Sequence, residues 1–200
     1  MKLYHSPGTC SLCPHIVLNE IGADFQLEKV DLRAKTIVQN GNDFYPVNGK
    51  GQVPALTLDN RETFTECSAI IQYLADQNPD KNLAPENGTM ERYRLQEWIS
   101  IIGSEQHKGI PALFLPYIPD DYRPIALDRV KTWLGTLDSH LADNDYLMGD
   151  GYTVADSYCF AIVNWHKRAE LDLSPWPNLK SYVEKIESRP AVQKSLNAGD

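Results

Sequence analysis

The sequence lacks long apolar runs and has fewer basic than acidic residues. Its 200 residues include 19 Lys or Arg and 27 Asp or Glu, a formal net charge of −8. An acidic chain is poorly suited to binding nucleic-acid phosphates or an anionic membrane surface, so we predict neither partner. No segment approaches the roughly 18 apolar residues of a membrane-spanning helix, and residues 1–8 lack the apolar core of a secretory signal. We therefore expect a cytoplasmic protein.

Cysteine is also scarce, and internal repeats and low-complexity tracts are absent. The four cysteines are Cys10, Cys13, Cys67 and Cys159. A cytosolic chain of this length does not need disulfides for stability. A single Cys-x-x-Cys pair is half of a zinc site at best, so we expect no bound metal. The hydrophobic fraction of 42% and the charged fraction of 23% are ordinary for a globular protein with a buried core.

Turn-forming residues near positions 78–89 divide the chain into two parts of different pattern. Residues 1–79 read as a mixed domain in the order β-α-β-(α)-β-β-α, with the first helix beginning close to Cys10 and a short helix within 33–46. Residues 80–88 read as a linker. Every long periodic segment in residues 89–200 reads as helix. The sequence therefore predicts an α/β domain followed by an all-α domain.

Two helical segments of the second part are especially legible. Residues 89–108 predict one helix, ended by Gly109 and Pro111. Its apolar stripe comprises Leu95, Trp98, Ile99 and Ile102, and its opposite face carries Ser100, Ser104 and His107. The run from Thr153 to Asp156 is a variant capping box that opens a very apolar helix, which we expect to be buried.

Cys10 is the first candidate for chemistry. A thiol at a helix N-terminus lies near unpaired N–H groups and the positive end of the helix dipole. Both favour the thiolate, so we expect the pKa of Cys10 to lie below about 8.5. Cys13 follows three residues later and is either a second redox thiol on the same face or a small core residue. The pattern alone leaves both readings of Cys13 open.

Three further places in the chain, with five residues in all, have a functional interpretation beside a plain structural one. His107 and Lys108 either complement the dipole at a helix C-terminus or belong to a site on the polar face. Pro54, between a polar loop and an apolar strand, is a candidate for a cis peptide bond. Glu66 and Cys67 open a helix whose free N–H groups either bind a carboxylate or form an ordinary cap.

Several motifs together resemble the cytosolic glutathione transferases. They are residues 7–12 (PGTCSL), 48–56 (NGKGQVPAL), 65–70 (TECSAI), 105–109 (EQHKG) and the box at 153–156. The resemblance covers essentially the whole chain, and Cys10 with the His107-Lys108 pair points to the bacterial beta class. It implies that residues 1–79 form a thioredoxin-like glutathione-binding domain, that 89–200 carry a hydrophobic-substrate pocket, that Pro54 is cis and that the chain is a homodimer.

The resemblance also implies site residues, with glutathione as co-substrate. Cys10 and His107 would be catalytic. The glutathione-binding residues would be Lys35, Gln52, Val53, Pro54, Glu66, Cys67, Ser100, Ser104, Glu105 and Gln106. The pocket for a small hydrophobic electrophile would include Lys108, Tyr158 and Trp165. Other classes of the family use Tyr or Ser to activate glutathione, so Tyr4 and Ser11 are alternatives to Cys10.

The expected reaction is conjugation of glutathione to hydrophobic electrophiles, glutathione-dependent thiol–disulfide exchange through Cys10, or both. Two alternatives remain. One is a dithiol oxidoreductase that uses Cys10 and Cys13. The other is a non-catalytic member of the fold that serves as an interaction module.

Overall fold

The computed structural model describes residues 1–198, and they form two compact units. The first unit comprises Met1–Asn82 together with the segment that begins at Pro190. The second unit comprises Leu83–Arg189. The first is a mixed α/β unit and the second is helical, as predicted.

A five-stranded mixed sheet forms the centre of the first unit. Its strands are β1 (Lys2–His5), β2 (Gln26–Asp31), β3 (Thr36–Ile37), β4 (Ala55–Thr57) and β5 (Thr63–Thr65). They are ordered β3-β2-β1-β4-β5. β1 pairs in parallel with β2, and the other three pairings are antiparallel. The parallel pair requires a crossover, and the first helix provides it.

Helices α1 (Leu12–Glu20) and α2 (Cys67–Asp76) pack against each other in this unit. Successive side chains of a strand point to opposite faces, so β1 contributes Leu3 to one core and Tyr4 to another. The second core is closed by the loop that follows β3, and it contains Tyr4, Val30, Ile37, Phe44, Val53 and Ala55. The polar stretch 33–46 forms β3 and turns. The short helix predicted there is absent: Thr36 and Ile37 pair with β2, and the residues around them form turns.

The helical unit contains five α-helices. They are α3 (Met90–Ile101), α4 (His107–Gly109), α5 (Arg123–His140), α6 (Val154–Val163) and α7 (Pro177–Glu187). The predicted single helix over 89–108 is interrupted. A π-helical turn, Ile102–Gln106, separates α3 from α4, and a 3-10 turn, Ile110–Leu113, follows. Gly103 and Ser104 favour helix weakly, which permits the wider turn. The α-helical geometry ends at Gly109, as predicted, and the 3-10 turn contains Pro111.

The predicted capping box at α6 is present, and the helix is buried along its whole length. Asp156 accepts hydrogen bonds from Thr153 N–H (2.8 Å) and, through its other oxygen, from Leu147 N–H (2.9 Å) and Tyr182 Oη (2.9 Å). Burial raises the pKa of this carboxyl, and the hydrogen bonds oppose that effect. One carboxylate thus holds the start of α6, a loop and α7 together.

The two compact units divide at different positions from the boundaries predicted for the helical part. The units divide between Asn82 and Leu83, within the segment 80–88 assigned as linker. A further helix, α8 (Pro190–Asn197), follows the break at Pro190 and packs on α1 in the first unit. Val192 of α8 is fully buried, and Ser195 accepts a hydrogen bond from Asn19 Nδ2 at 2.8 Å. These contacts place α8 outside the domain predicted over 89–200.

Candidate glutathione site

Cys10 lies in the turn that leads into α1 and is partly exposed. The helix itself begins at Leu12 rather than close to Cys10. The Cys10 thiol donates to the carbonyl oxygen of Val53 at 3.6 Å. The carbonyl oxygen of Cys10 accepts from the N–H of Cys13 at 3.0 Å and from the thiol of Cys67 at 3.4 Å. The starts of α1 and α2 therefore meet at Cys10.

The hydroxyls of Tyr4 and Ser11 are in different surroundings. Ser11 is 1% exposed, and its Oγ accepts from the N–H of Ser6 at 3.1 Å and contacts Thr9 Oγ1 at 2.8 Å. That hydroxyl closes the turn before α1. The ring of Tyr4 is buried against Phe44, with centroids 5.6 Å apart. Of the three candidate groups, Cys10 is the one placed to meet a ligand.

The segment before β4 is held by backbone and side-chain contacts. The Val53–Pro54 peptide bond is cis, as the resemblance implies. Lys35 Nζ donates to the carbonyl oxygen of Gly51 at 2.8 Å, and Asn48 Nδ2 donates to that of Gln52 at 2.6 Å. Gln52 itself is exposed. This segment therefore presents its backbone beside Cys10.

Gly51 is required in this segment. Its φ is +60°, and a Cβ there would lie 2.9 Å from the ring of Tyr45. Only glycine combines that conformation with that close approach. Sequence reasoning overlooked Tyr45, whose one signal was its position just before the NGKGQVPAL motif.

Glu66 and Cys67 begin α2 but face opposite ways. Glu66 has φ +74°, its side chain is 65% exposed, and it forms an ion pair with Lys50. Cys67 is 4% exposed, and its thiol points to Cys10. Glu66 is thus available to a ligand, whereas the Cys67 side chain faces inward. Lys50 was not predicted as a site residue.

In the helical unit, His107 lies in an aromatic cluster. Its Nδ1 is 2.7 Å from the hydroxyl of Tyr158, and its ring centroid is 5.3 Å from that of Trp165. Phe114 packs edge-on against Trp165, and the guanidinium of Arg168 lies 4.4 Å from the Phe114 ring. Phe114 and Arg168 were missed, because a lone aromatic or arginine in a helical segment carries no signal of its own.

The remaining predicted residues of this unit are dispersed. Ser100, Ser104 and Lys108 are exposed, and Glu105 pairs with Arg129 at 3.1 Å. Gln106 is 2% exposed, and its Oε1 accepts from the Cys159 thiol at 3.8 Å. Because Gln106 faces the helical core, we no longer expect its side chain to contact glutathione.

Lys108 does not line the same cavity wall as the aromatic pair Tyr158 and Trp165. It lines a cavity of about 270 Å³ in the helical unit, between the segment 104–112 and α5. Other lining residues are Ser104, Tyr122, Arg129 and Trp133. Tyr158 and Trp165, the other two residues predicted for the hydrophobic pocket, do not line this cavity.

Within residues 1–198, no group of three or more His, Cys, Asp or Glu side chains is arranged to hold a metal ion. In the same range, no helix is long and apolar enough to cross a membrane. All four cysteines are free.

Comparison with known proteins agrees across the whole chain. Residues 9–77 match the model of the glutathione S-transferase N-terminal domain, and residues 106–190 match that of the C-terminal domain. The chain is 40% identical over 198 residues to glutathione S-transferase GstA of Escherichia coli O157:H7, covering 99% of this chain and 98% of that protein.

Two solved structures are similarly close. The beta-class glutathione S-transferase of Sphingomonas chungbukensis is 47% identical with a TM-score of 0.95, over 100% of this chain and 98% of that one. A sphingomonad glutathione S-transferase complexed with glutathione is 46% identical with a TM-score of 0.95, over the same shares. With these matches and a thioredoxin-like unit followed by a helical one, the chain belongs to the glutathione S-transferase family and resembles its bacterial beta class.

Proposed function

We propose that this protein binds glutathione as a co-substrate and transfers its thiol to hydrophobic electrophiles. The observation that carries the proposal is the convergence at Cys10 of the cis Val53–Pro54 segment and the starts of two helices. Helix N-termini stabilise negative charge on sulfur, which is the form that attacks an electrophile. A relative 46% identical to this chain was solved with glutathione bound.

The first unit supplies the binding groups. The backbone of Val53 pairs with the cysteinyl part of glutathione, as the edge of a strand does. Glu66 and the first N–H groups of α2 hold the γ-glutamyl end, with Glu66 oriented by Lys50. Lys35, which donates to Gly51 in the free protein, pairs with the glycine carboxylate. Pro54 fixes the direction of this segment through its cis bond.

The helical unit supplies groups that act on the electrophile. His107 stabilises the reacting sulfur or positions a water molecule, and Tyr158 sets the orientation of its ring through the 2.7 Å contact. Tyr158 and Trp165 contribute to the electrophile pocket, whereas Lys108, which lines the cavity described above, is no longer assigned to it. Ser100, Ser104 and Glu105 reach glutathione from a partner subunit.

Cys10 also gives the protein a second glutathione-dependent reaction. A partly exposed thiol beside bound glutathione exchanges with disulfides and forms a mixed disulfide with glutathione. The dithiol reading based on Cys10 and Cys13 is not favoured, since the family matches are to glutathione transferases. A non-catalytic role is disfavoured by the intact set of site residues.

We further propose a homodimer in the cytoplasm. The exposed face of α3 carries Met90 (65% exposed) and Tyr93 (57% exposed), an apolar pair suited to an interface. Four free cysteines suit a reducing compartment. Sedimentation velocity, which reports the mass of the particle, distinguishes a dimer from a monomer.

Calorimetric titration with glutathione and the rate of conjugation to 1-chloro-2,4-dinitrobenzene test the function together. We expect binding in the micromolar to millimolar range, and a Cys10→Ala variant whose thiol-exchange rate falls at least about tenfold. Cys159→Ala is the matched control, because Cys159 is buried in the helical unit. Absence of both glutathione binding and conjugation in the wild type would refute the proposal.

A further inference from the structure

Three of the four cysteines meet in the first unit. The Cys67 thiol donates to the carbonyl oxygen of Cys10 at 3.4 Å. The side chains of Cys10 and Cys13 are both hydrogen-bond partners that shift the pKa of Cys67. The fold therefore brings Cys67 to the other two cysteines, although it is 54 or more residues away along the chain. All three are reduced in this structure.

The three thiols differ in exposure. Cys10 is partly exposed, whereas Cys13 is 0% and Cys67 is 4% exposed. An oxidant from solution therefore meets Cys10 first, and the two buried thiols react only with a sulfur that is already in the site.

The pKa of Cys67 is set by these neighbours and by burial. The contact with Cys10 alone would lower the pKa of Cys67, but the Cys13 thiol, burial and the charge of Glu66 outweigh it. The pKa of Cys67 is raised well above its ordinary value as a result, so this group rests as a thiol. A protonated, buried thiol does not compete with Cys10 for an incoming disulfide.

We propose that Cys67 is the resolving thiol for Cys10, so that the glutathione site closes on itself as a Cys10–Cys67 disulfide. In the first step, the Cys10 thiolate attacks one sulfur of a small disulfide such as glutathione disulfide. The mixed disulfide forms, and one thiolate leaves. In the second step, the Cys67 sulfur attacks the Cys10 sulfur, and the second thiolate leaves with the proton of Cys67. Two protein thiols are oxidised and one disulfide is reduced to two thiols.

The reverse reaction reopens the site. One glutathione thiolate attacks the Cys10–Cys67 bond, and a second releases the resulting mixed disulfide as glutathione disulfide. While the internal disulfide is present, the Cys10 sulfur is not available for exchange. The oxidation state of the glutathione pool then sets the fraction of protein with a reactive Cys10.

Intact mass after treatment with excess 2-hydroxyethyl disulfide tests the proposal on the folded protein. We expect the wild type to lose about 2 Da, and Cys67→Ser to gain a stable adduct of about 76 Da on Cys10. Cys13→Ser is the matched control and should lose about 2 Da like the wild type. Peptide mapping should then locate the cross-link between Cys10 and Cys67.

Each other outcome overturns the proposal. A stable adduct on the wild type would mean that nothing resolves Cys10. A loss of about 2 Da that survives in Cys67→Ser but disappears in Cys13→Ser would assign the role to Cys13. No mass change in the folded wild type, with all four thiols reactive after denaturation, would show that Cys10 does not meet the disulfide. Melting temperatures of the two variants verify that both are folded.

This inference rests on the proposed function only in naming glutathione disulfide as the oxidant. The hydroxyethyl reagent lacks the glutathione peptide, so it reports on the three thiols alone. A protein that forms the Cys10–Cys67 disulfide but does not bind glutathione would retain this inference and lose the proposed function. A protein that binds glutathione but keeps the hydroxyethyl adduct on Cys10 would retain the proposed function and lose this inference.

Discussion

The contact between Tyr158 and His107 sets the orientation of the His107 ring. Their 2.7 Å hydrogen bond joins a buried hydroxyl to the Nδ1 atom of a partly exposed ring. A hydrogen-bond partner on one ring nitrogen fixes the orientation of the imidazole and determines whether the other ring nitrogen carries the proton.

Removal of that hydroxyl should therefore affect catalysis more than glutathione binding. For Tyr158→Phe we expect kcat for conjugation to fall about 2- to 10-fold, the value of one hydrogen bond, with little change in KM for glutathione. Tyr152→Phe is the control, because it removes a similar buried contact of 2.7 Å to Ser157 in the same unit. Equal effects of the two substitutions on kcat would argue against a positioning role for Tyr158.

At the scale of single residues, the motifs predicted some backbone features but not the direction of the side chains. The position of Cys10 before α1 and the cis bond at Pro54 follow from the motifs. The inward direction of Cys67 and the burial of Gln106 do not. The direction of Cys67 depends on what packs against the start of α2, and the burial of Gln106 depends on the π-helical turn. Local residue spacing does not show either of these features.

Among the elements, α6 depends on a single buried carboxylate. Asp156 is 0% exposed and accepts from the capping residue, a loop N–H and a tyrosine of α7. Truncation of such a group leaves several buried donors without an acceptor, which costs far more than one hydrogen bond.

We expect Asp156→Ala to lower the free energy of unfolding by about 3–5 kcal/mol. The control is Thr89→Ala, which removes an ordinary cap at α3, where Thr89 Oγ1 accepts from Arg92 N–H at 3.2 Å. That control should cost about 1 kcal/mol. Urea denaturation followed by tryptophan fluorescence measures both, because Trp98, Trp133, Trp165 and Trp176 all lie in the helical unit. Equal costs would mean that Asp156 is merely a cap.

Elements with a strong pattern were predicted well, and interrupted ones were not. The apolar helix α6 and the β4–β5 hairpin form where the periodicity indicates. The segment 102–113 keeps a helical spacing but changes from π to α to 3-10 geometry. Periodicity reports which residues are buried and is too coarse to distinguish these three turns.

The molecule as a whole contains a buried pair of histidines that makes its stability depend on pH. His5 and His15 lie in the first unit with ring centroids 6.1 Å apart, and His15 packs edge-on against Phe25. Burial lowers the pKa of each to about 4, with Lys29 acting on His5, and with His5 and Lys194 acting on His15. The folded pKa lies below the unfolded value near 6.5, so folding favours the neutral rings.

The stability that these rings contribute is fully present above about pH 6.5 and is lost as pH falls toward 4. We expect the urea midpoint of the first unit to fall across that window. Tryptophan fluorescence reports only the helical unit, so unfolding of the first unit is followed by a thiol reagent. The reagent labels the buried Cys13 and Cys67 when that unit unfolds, and the labelling rate at each urea concentration gives the midpoint. His5→Gln/His15→Gln should flatten the dependence between pH 6.5 and 4. An unchanged slope in that variant would assign the effect to other groups.

The order of the two units was predictable, but the position of the last helix was not. A composition shift marks the change near residue 80, which lies close to the observed division. Pro190 marks the break before α8, but no signal shows which unit this helix joins, because α8 is amphipathic like its neighbours. Which apolar surface a short amphipathic helix covers is decided by tertiary packing.

The return of α8 to α1 has a consequence for synthesis on the ribosome. The first unit is discontinuous, with 107 residues of helical unit, Leu83–Arg189, between its parts. Its nascent N-terminal portion must wait for nearly the entire chain before Val192 covers its surface. The helical unit is contiguous and can complete its core earlier. During translation, the helical unit therefore completes its core first, although it follows in the sequence. The glutathione-binding unit completes its core last.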